Sequence, residues 1–257
     1  MKHILFLVAA ALFALTSCTH EIKTETLRLE EAVPFQEGSE NHLDLNLDIE
    51  FPVSGFPKEA LEEVRKAIRV HTLGENYTEF TGSLAELGKA WRDALTVDYI
   101  DSNTGMLEEM GMAEKDAPFL NWGYDYKGYF GESYDKYINY FVEEYQYLGG
   151  AHGMNGTFPF VFRLSDGQEV DWTVVAPGVS EEKMCDLLLK HRMDDMKDMV
   201  DGEEGIDETN IFFSETIEPS PWFSVDNEGL TFYYQPYDLA PYAFGVITVP
   251  VPWAELK

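Results

Sequence analysis

The sequence predicts an α+β fold, with antiparallel sheets and helices packed on one face. Strictly alternating apolar residues at Leu43, Leu45, Leu47, Ile49 and Phe51 mark a half-buried strand. Apolar residues at helical spacing mark helices: Leu61, Val64 and Ile68 in one segment, and Leu84, Leu87, Trp91 and Leu95 in another. Strands and helices follow one another in mixed order, with hairpins instead of a regular βαβ alternation, which separates α+β from a doubly wound parallel sheet.

In chain order, Pro52 and Pro57 are expected to bound a turn, followed by a helix from Lys58 to about Val70. Ser83 is placed to cap a second helix from Leu84 to about Tyr99. The stretch 121–148 is rich in Trp, Tyr and Phe and reads as strands joined near 131–135, the second covering Ile138–Tyr147. A strand over Phe158–Leu164 and a turn at Ser165–Gln168 come next. Ser180 caps a helix running to about Val200, an acidic loop spans Asp201–Glu208, and the last strands are Gly229–Tyr234 and Ala243–Pro250.

The N-terminus has the order of an export signal. Lys2 and His3 precede an apolar run from Ile4 to Leu15, the length of a secretory h-region and too short for a settled membrane span. It ends in Leu15-Thr16-Ser17-Cys18, which resembles the lipobox of bacterial lipoproteins. That resemblance implies cleavage after Ser17 and a diacylglycerol thioether on Cys18, placing the protein on the extracytoplasmic side of the cell membrane or outer membrane. The expected division is a signal at 1–17, a lipid-anchored tether at 18–30, an N-terminal α+β domain at 31–146 and a C-terminal α+β domain at 147–257.

Eighteen Lys and Arg against 47 Asp and Glu give a net charge of −29. Such a field repels nucleic acid and anionic lipid and favours cationic partners. Hydrophobic residues at 45%, with 14% aromatics, suffice for a real core. With Cys18 acylated, Cys185 would be the one remaining thiol, so no internal disulfide is expected; its helical context suits a small buried residue better than a nucleophile. The chain contains no G-x-S-x-G, G-x-G-x-x-G, P-loop or H-E-x-x-H. Ser180 to Lys183 and Ser133 to Lys136 fit S-x-x-K without its companion motifs, so Ser180 reads as a cap. His191, Asp194 and Asp195 share a helical face and are read as paired surface groups before a metal site. No cofactor is expected, except that the acidic run Asp201, Glu203, Glu204, Asp207 and Glu208 could hold Ca²⁺ loosely, outside EF-hand order.

Two motifs remain. Tyr147-Leu148-Gly149-Gly150-Ala151-His152-Gly153 bends the chain after a strand and exposes an imidazole; Gln235-Pro236-Tyr237-Asp238-Leu239-Ala240-Pro241-Tyr242 interrupts two strands with a Tyr- and Pro-rich corner. Together with Val249-Pro250-Val251-Pro252-Trp253, they resemble the domain of unknown function 3298, the C-terminal domain of RsiV-type anti-sigma factors. The resemblance covers roughly 148–257; the preceding part resembles the domain that usually accompanies it, also found in a peptidoglycan deacetylase. It implies an envelope binding or sensing module, whose ligand in RsiV-type proteins is lysozyme. The chain has neither an anti-sigma segment nor the deacetylase's catalytic domain, so the expectation leans away from an enzyme. Candidate ligand-binding residues are His152, Tyr237, Asp238 and Tyr242, with lysozyme or a peptidoglycan fragment as partner. The alternative is a cell-wall or glycan hydrolase or deacetylase-like enzyme in which His152 pairs with a nearby carboxylate.

Overall fold

The computed structural model describes residues 21–196 and 211–257. The expected signal, Cys18 and the acidic loop lie outside the described residues. Strands β1 (Lys23–Pro34), β2 (His42–Ser54), β3 (Trp122–Tyr134), β4 (Tyr137–Leu148) and β5 (Met154–Arg163) form one sheet in that order. Strands β6 (Phe223–Val225), β7 (Gly229–Tyr234) and β8 (Ile247–Pro252) form a second sheet. Helices α1 (Lys58–Leu73) and α2 (Leu84–Met110) connect β2 to β3, while α3 (Trp172–Val175) and α4 (Glu181–His191) lie between the sheets in sequence.

Every pairing is antiparallel except β2 with β3. Parallel neighbours require a long crossover, and the α1–α2 segment supplies it. In α1, Val64 and Ile68 are fully buried. In α2, Leu87 and Trp91 turn to the same core, and Gly88 lets the helix approach β1 until a Cβ would lie 2.9 Å from Leu27 Cδ1. The capping box at the start of α2 is complete: the Glu86 N–H donates to Ser83 Oγ, and the Ser83 N–H donates to the Glu86 carboxylate at 2.8 Å.

The larger sheet separates two cores. One side buries Leu27, Leu29, Leu45, Leu47, Ile49, Phe51 and Tyr126 beneath α1 and α2. Its other side contributes Tyr137 and Val161 to a second core shared with α3, α4 and the smaller sheet. The two sheets are locked by a reciprocal pair of amides. Asn139 on β4 donates to the Val225 carbonyl and accepts from the Val225 N–H, both at 2.9 Å. Gln235, just after β7, donates to the Thr157 carbonyl at 2.7 Å and accepts from its N–H at 2.9 Å.

Several expectations change. The segment expected as tether is largely strand β1, because Leu27 and Leu29 pair across to Ile49 and Leu47 and fill the first core. The expected boundary at 146/147 falls inside β4. Pro52 lies within β2, opposite Thr24, where the β1–β2 register shifts. Helix α2 runs on to Met110, and α4 stops at His191, so Asp194 and Asp195 follow the helix in a turn. Residues 243–246 are not strand: Tyr242–Phe244 form a 3₁₀ turn and β8 begins at Ile247. The C-terminal strands β6, β7 and β8 form a sheet of their own.

Candidate functional site

The glycine–histidine bend joins β4 to β5 at one end of the larger sheet. Gly149 has φ +76°, and a Cβ there would fall on the Phe119 carbonyl, so this position requires glycine. The bend exposes His152 and buries Gly153, over which the Tyr145 ring lies. The tyrosine–proline corner joins β7 to β8 in the other sheet. Its tip is held by the Asp238 carboxylate, which accepts from the Gln235 N–H at 2.7 Å, and by the Asp238 N–H, which donates to the Gln235 carbonyl at 2.9 Å. Tyr237 sits at the tip with φ +75°, uncommon for a residue with a side chain, and is 50% exposed.

The two motifs meet although they belong to different sheets. The His152 and Tyr242 rings stack with centroids 4.2 Å apart and 28° between planes. Tyr237 lies 5.7 Å from Tyr242. The Tyr242 hydroxyl donates to the Gly153 carbonyl at 2.6 Å, and His152 Nδ1 lies 2.9 Å from the same oxygen. Gln235, clamped on Thr157 of β5, sets the register between corner and bend. The result is a run of three rings, His152, Tyr242 and Tyr237, with the Asp238 carboxylate exposed beside it and the Tyr145 ring over the neighbouring Gly153. Tyr145 was not singled out from sequence; its place in an aromatic–polar alternation was the available signal, and only its contact with Gly153 attaches it to the bend.

Chemically, this surface can stack and donate or accept hydrogen bonds. It does not hold a proton-transfer pair. His152 bonds to a backbone carbonyl and Asp238 to a backbone N–H, so among the described residues no carboxylate is hydrogen-bonded to the His152 ring.

The other polar candidates are engaged structurally. Ser180 Oγ accepts the Lys183 N–H at 3.2 Å, as a cap does. His191 contacts Asp194 at 2.6 Å and Glu255 at 3.1 Å, tying the end of α4 to the C-terminal residues. Asp195 accepts the Thr248 hydroxyl. Burial, reinforced by Glu181, Glu218 and Asp186, pushes the half-buried Cys185 thiol up, away from the reactive thiolate. Among the described residues no group of three or more His, Cys, Asp and Glu is arranged to hold a metal ion, and no helix is long and apolar enough to cross a membrane.

Fold and site together define a two-sheet α+β protein with an aromatic surface where the sheets meet. Residues 174–254 match the family described as "Protein of unknown function (DUF3298)". The fold is similar to the crystal structure of a DUF3298 family member from Bacteroides fragilis, with 21% identity, 92% of each chain covered and a TM-score of 0.78. It is also similar to a DUF3298 family protein from Pseudomonas aeruginosa PAO1, with 19% identity, 92% of this chain and 93% of that chain covered, and a TM-score of 0.55. No curated protein matches the chain.

Proposed function

We propose that the protein is a lipid-anchored, extracytoplasmic binding or sensing module of the bacterial cell envelope, acting through the ring surface His152–Tyr242–Tyr237. The observation that carries this reading is the 4.2 Å stack of His152 on Tyr242, which unites two motifs from separate sheets on an exposed face. Exposed aromatic rings with polar tips are a costly use of surface unless something docks on them. The net charge of −29 adds a preference for a cationic partner. Lysozyme, the ligand that the RsiV resemblance implies, satisfies both. A peptidoglycan fragment is the second reading, favoured by the exposed Tyr237 ring next to the Asp238 carboxylate, a pairing that can stack on a sugar face and accept from its hydroxyls. Anchoring rests on Cys18, whose two acyl chains would hold the domain at the membrane, each buried CH₂ contributing about 0.8 kcal/mol.

The test is calorimetric titration of the soluble domain with lysozyme and with soluble peptidoglycan fragments, in parallel with Tyr237→Ala. One of the two ligands is expected to bind, and the variant to lose about tenfold or more in affinity, as a central aromatic contact does. Tyr237 is half exposed, so its removal leaves the fold standing. Absence of binding by both ligands at moderate salt, or unchanged affinity in Tyr237→Ala, would overturn the proposal.

A further inference from the structure

A separate concave site lies on the helix-covered face of the larger sheet. A cleft of about 300 Å³ opens between the C-terminal turn of α1, the middle of α2 and strands β3 and β4. That volume lies at the small end of ligand-binding cavities. Trp91 of α2 and Tyr124 and Tyr126 of β3 line it, Glu144 of β4 lies directly across the ladder from Tyr126, and His71 closes the α1 end.

The three rings form a corner, not a flat stack. Trp91 meets Tyr124 at 6.2 Å and 82°, and Tyr126 at 5.8 Å and 53°; Tyr124 and Tyr126 meet at 6.1 Å and 85°. The Tyr126 hydroxyl accepts from the Gln146 amide. Burial pushes the Tyr124 phenol up to about 12, helped by the Asp98 charge nearby, so both rings stay neutral phenols at ordinary pH.

Glu144 is the anomaly. It is half-buried, its neighbour across the β4–β5 ladder is Gly156, which brings no side chain, and none of its oxygens takes part in a hydrogen bond or ion pair among the described residues. Burial raises its carboxyl above the usual range. The one cationic candidate lining the cleft, His71, is turned to another partner: its Nε2 lies 2.7 Å from the Glu169 carboxylate, and its ring stacks on Phe160 at 3.6 Å. The cleft therefore combines an uncompensated carboxylate with a three-ring corner. A half-buried charge without a counter-ion is destabilising, and aromatic faces present negative potential. Both features are complemented by the same thing, a compact positive charge on an organic body.

We infer that this cleft binds a small organic ammonium ion, with Glu144 as its counter-ion and Trp91, Tyr124 and Tyr126 as its walls. The site shares no residue with the His152–Tyr242 surface, so it stands or falls independently of that reading.

The test uses the whole soluble domain with choline and ethanolamine as cationic probes, and 3,3-dimethyl-1-butanol as the neutral isostere of choline. Ligand-observed NMR and calorimetry read the affinity. At least one ammonium probe is expected to bind, the neutral isostere at least about tenfold more weakly. Glu144→Gln is expected to weaken the ammonium probe by about tenfold or more while melting no lower than the parent, and Tyr237→Ala to leave it unchanged. Equal binding of the neutral isostere would reduce the site to an apolar hole. Failure of both ammonium probes at concentrations of tens of millimolar, or undiminished binding in Glu144→Gln, would overturn the inference. Should Glu144→Gln fold poorly, Trp91→Phe in the same assay serves: it keeps an aromatic wall but with a weaker face, and unchanged ammonium affinity in that variant counts against the site.

Discussion

Asn139 and Gln235 show how single side chains hold the molecule's two sheets in register. Asn139 is 4% exposed and satisfies both backbone groups of Val225, besides donating to the Glu132 carbonyl at 3.2 Å. Asn139→Ala would strand a buried N–H and a buried C=O, and unfolding in urea should show a loss of about 2–3 kcal/mol. Gln235 makes the mirror-image clamp from a half-buried position, so Gln235→Ala is expected to cost about 1 kcal/mol in the same assay and to loosen the stack of His152 on Tyr242. Glu144 acts with the opposite sign. Its carboxyl is raised by burial above its ordinary 4.5, so the folded state holds that proton more tightly than the unfolded chain does. Stability from this group is complete below about pH 4.5 and is lost as pH rises through the folded value. Glu144→Gln should therefore raise Tm at pH 7 without ligand, and the gain should shrink to nothing by about pH 4, read by thermal melts across that range. Glu86 behaves conversely: the Ser83 N–H and hydroxyl hold its carboxyl low, so its contribution is present at neutral pH and lost on acidification.

At the scale of elements, local signals and tertiary demand agree closely in some places and diverge in others. The start of α2 is written in Ser83 and Glu86, and Ser83→Ala should lower stability by about 1 kcal/mol, measurable as a drop in Tm. Its end is not written in the apolar pattern, which fades after Tyr99. The helix runs on past Asn103, which is fully buried and donates to the Tyr99 carbonyl at 2.8 Å, and past Gly105, and it stops where Gly111 takes the left-handed conformation, φ +61°. Strand β1 is the reverse case. It carries so many charges that only Leu27 and Leu29 announce an inward face, yet as an edge strand it needs no more than one buried face. In the β4–β5 bend, Gly149→Ala meets both an unfavourable φ and the Phe119 carbonyl; a loss of more than about 1 kcal/mol is expected, with weaker ligand binding as His152 shifts.

For the molecule as a whole, charge sets the terms of an encounter with a charged partner. A net charge of −29 over the sequence makes association with a cationic protein fast at low salt and weak at high salt. If lysozyme is the partner, raising ionic strength from about 0.05 M to 0.5 M should reduce affinity steeply, mainly through the association rate in surface plasmon resonance. A peptidoglycan fragment bound by stacking should be nearly indifferent to the same change. Anchoring is tested apart from the fold: mass spectrometry should find a diacylglyceryl group on the N-terminal cysteine of protein from membranes, and Cys18→Ser should release the protein from the membrane fraction.

Much of this architecture was legible residue by residue. Alternation from Leu43 to Phe51, the helical spacing of Val64 and Ile68, the caps Ser83 and Ser180, and the turn at Ser165–Gln168 all report which face of a local segment avoids water, and that preference survives into the fold. The pairing of the His152 bend with the Tyr237–Tyr242 corner was recognisable as two motifs in order. Their contact was not, because it depends on one sheet packing against another through Asn139 and Gln235, whose partners are 86 and 78 residues away. The parallel join of β2 to β3, the division into two sheets and the meeting of Trp91, Tyr124, Tyr126 and Glu144 around one cleft share this property. Periodicity records burial but not the identity of the neighbour, and neighbours are chosen by hydrogen-bond ladders and core packing that act between residues far apart in the chain.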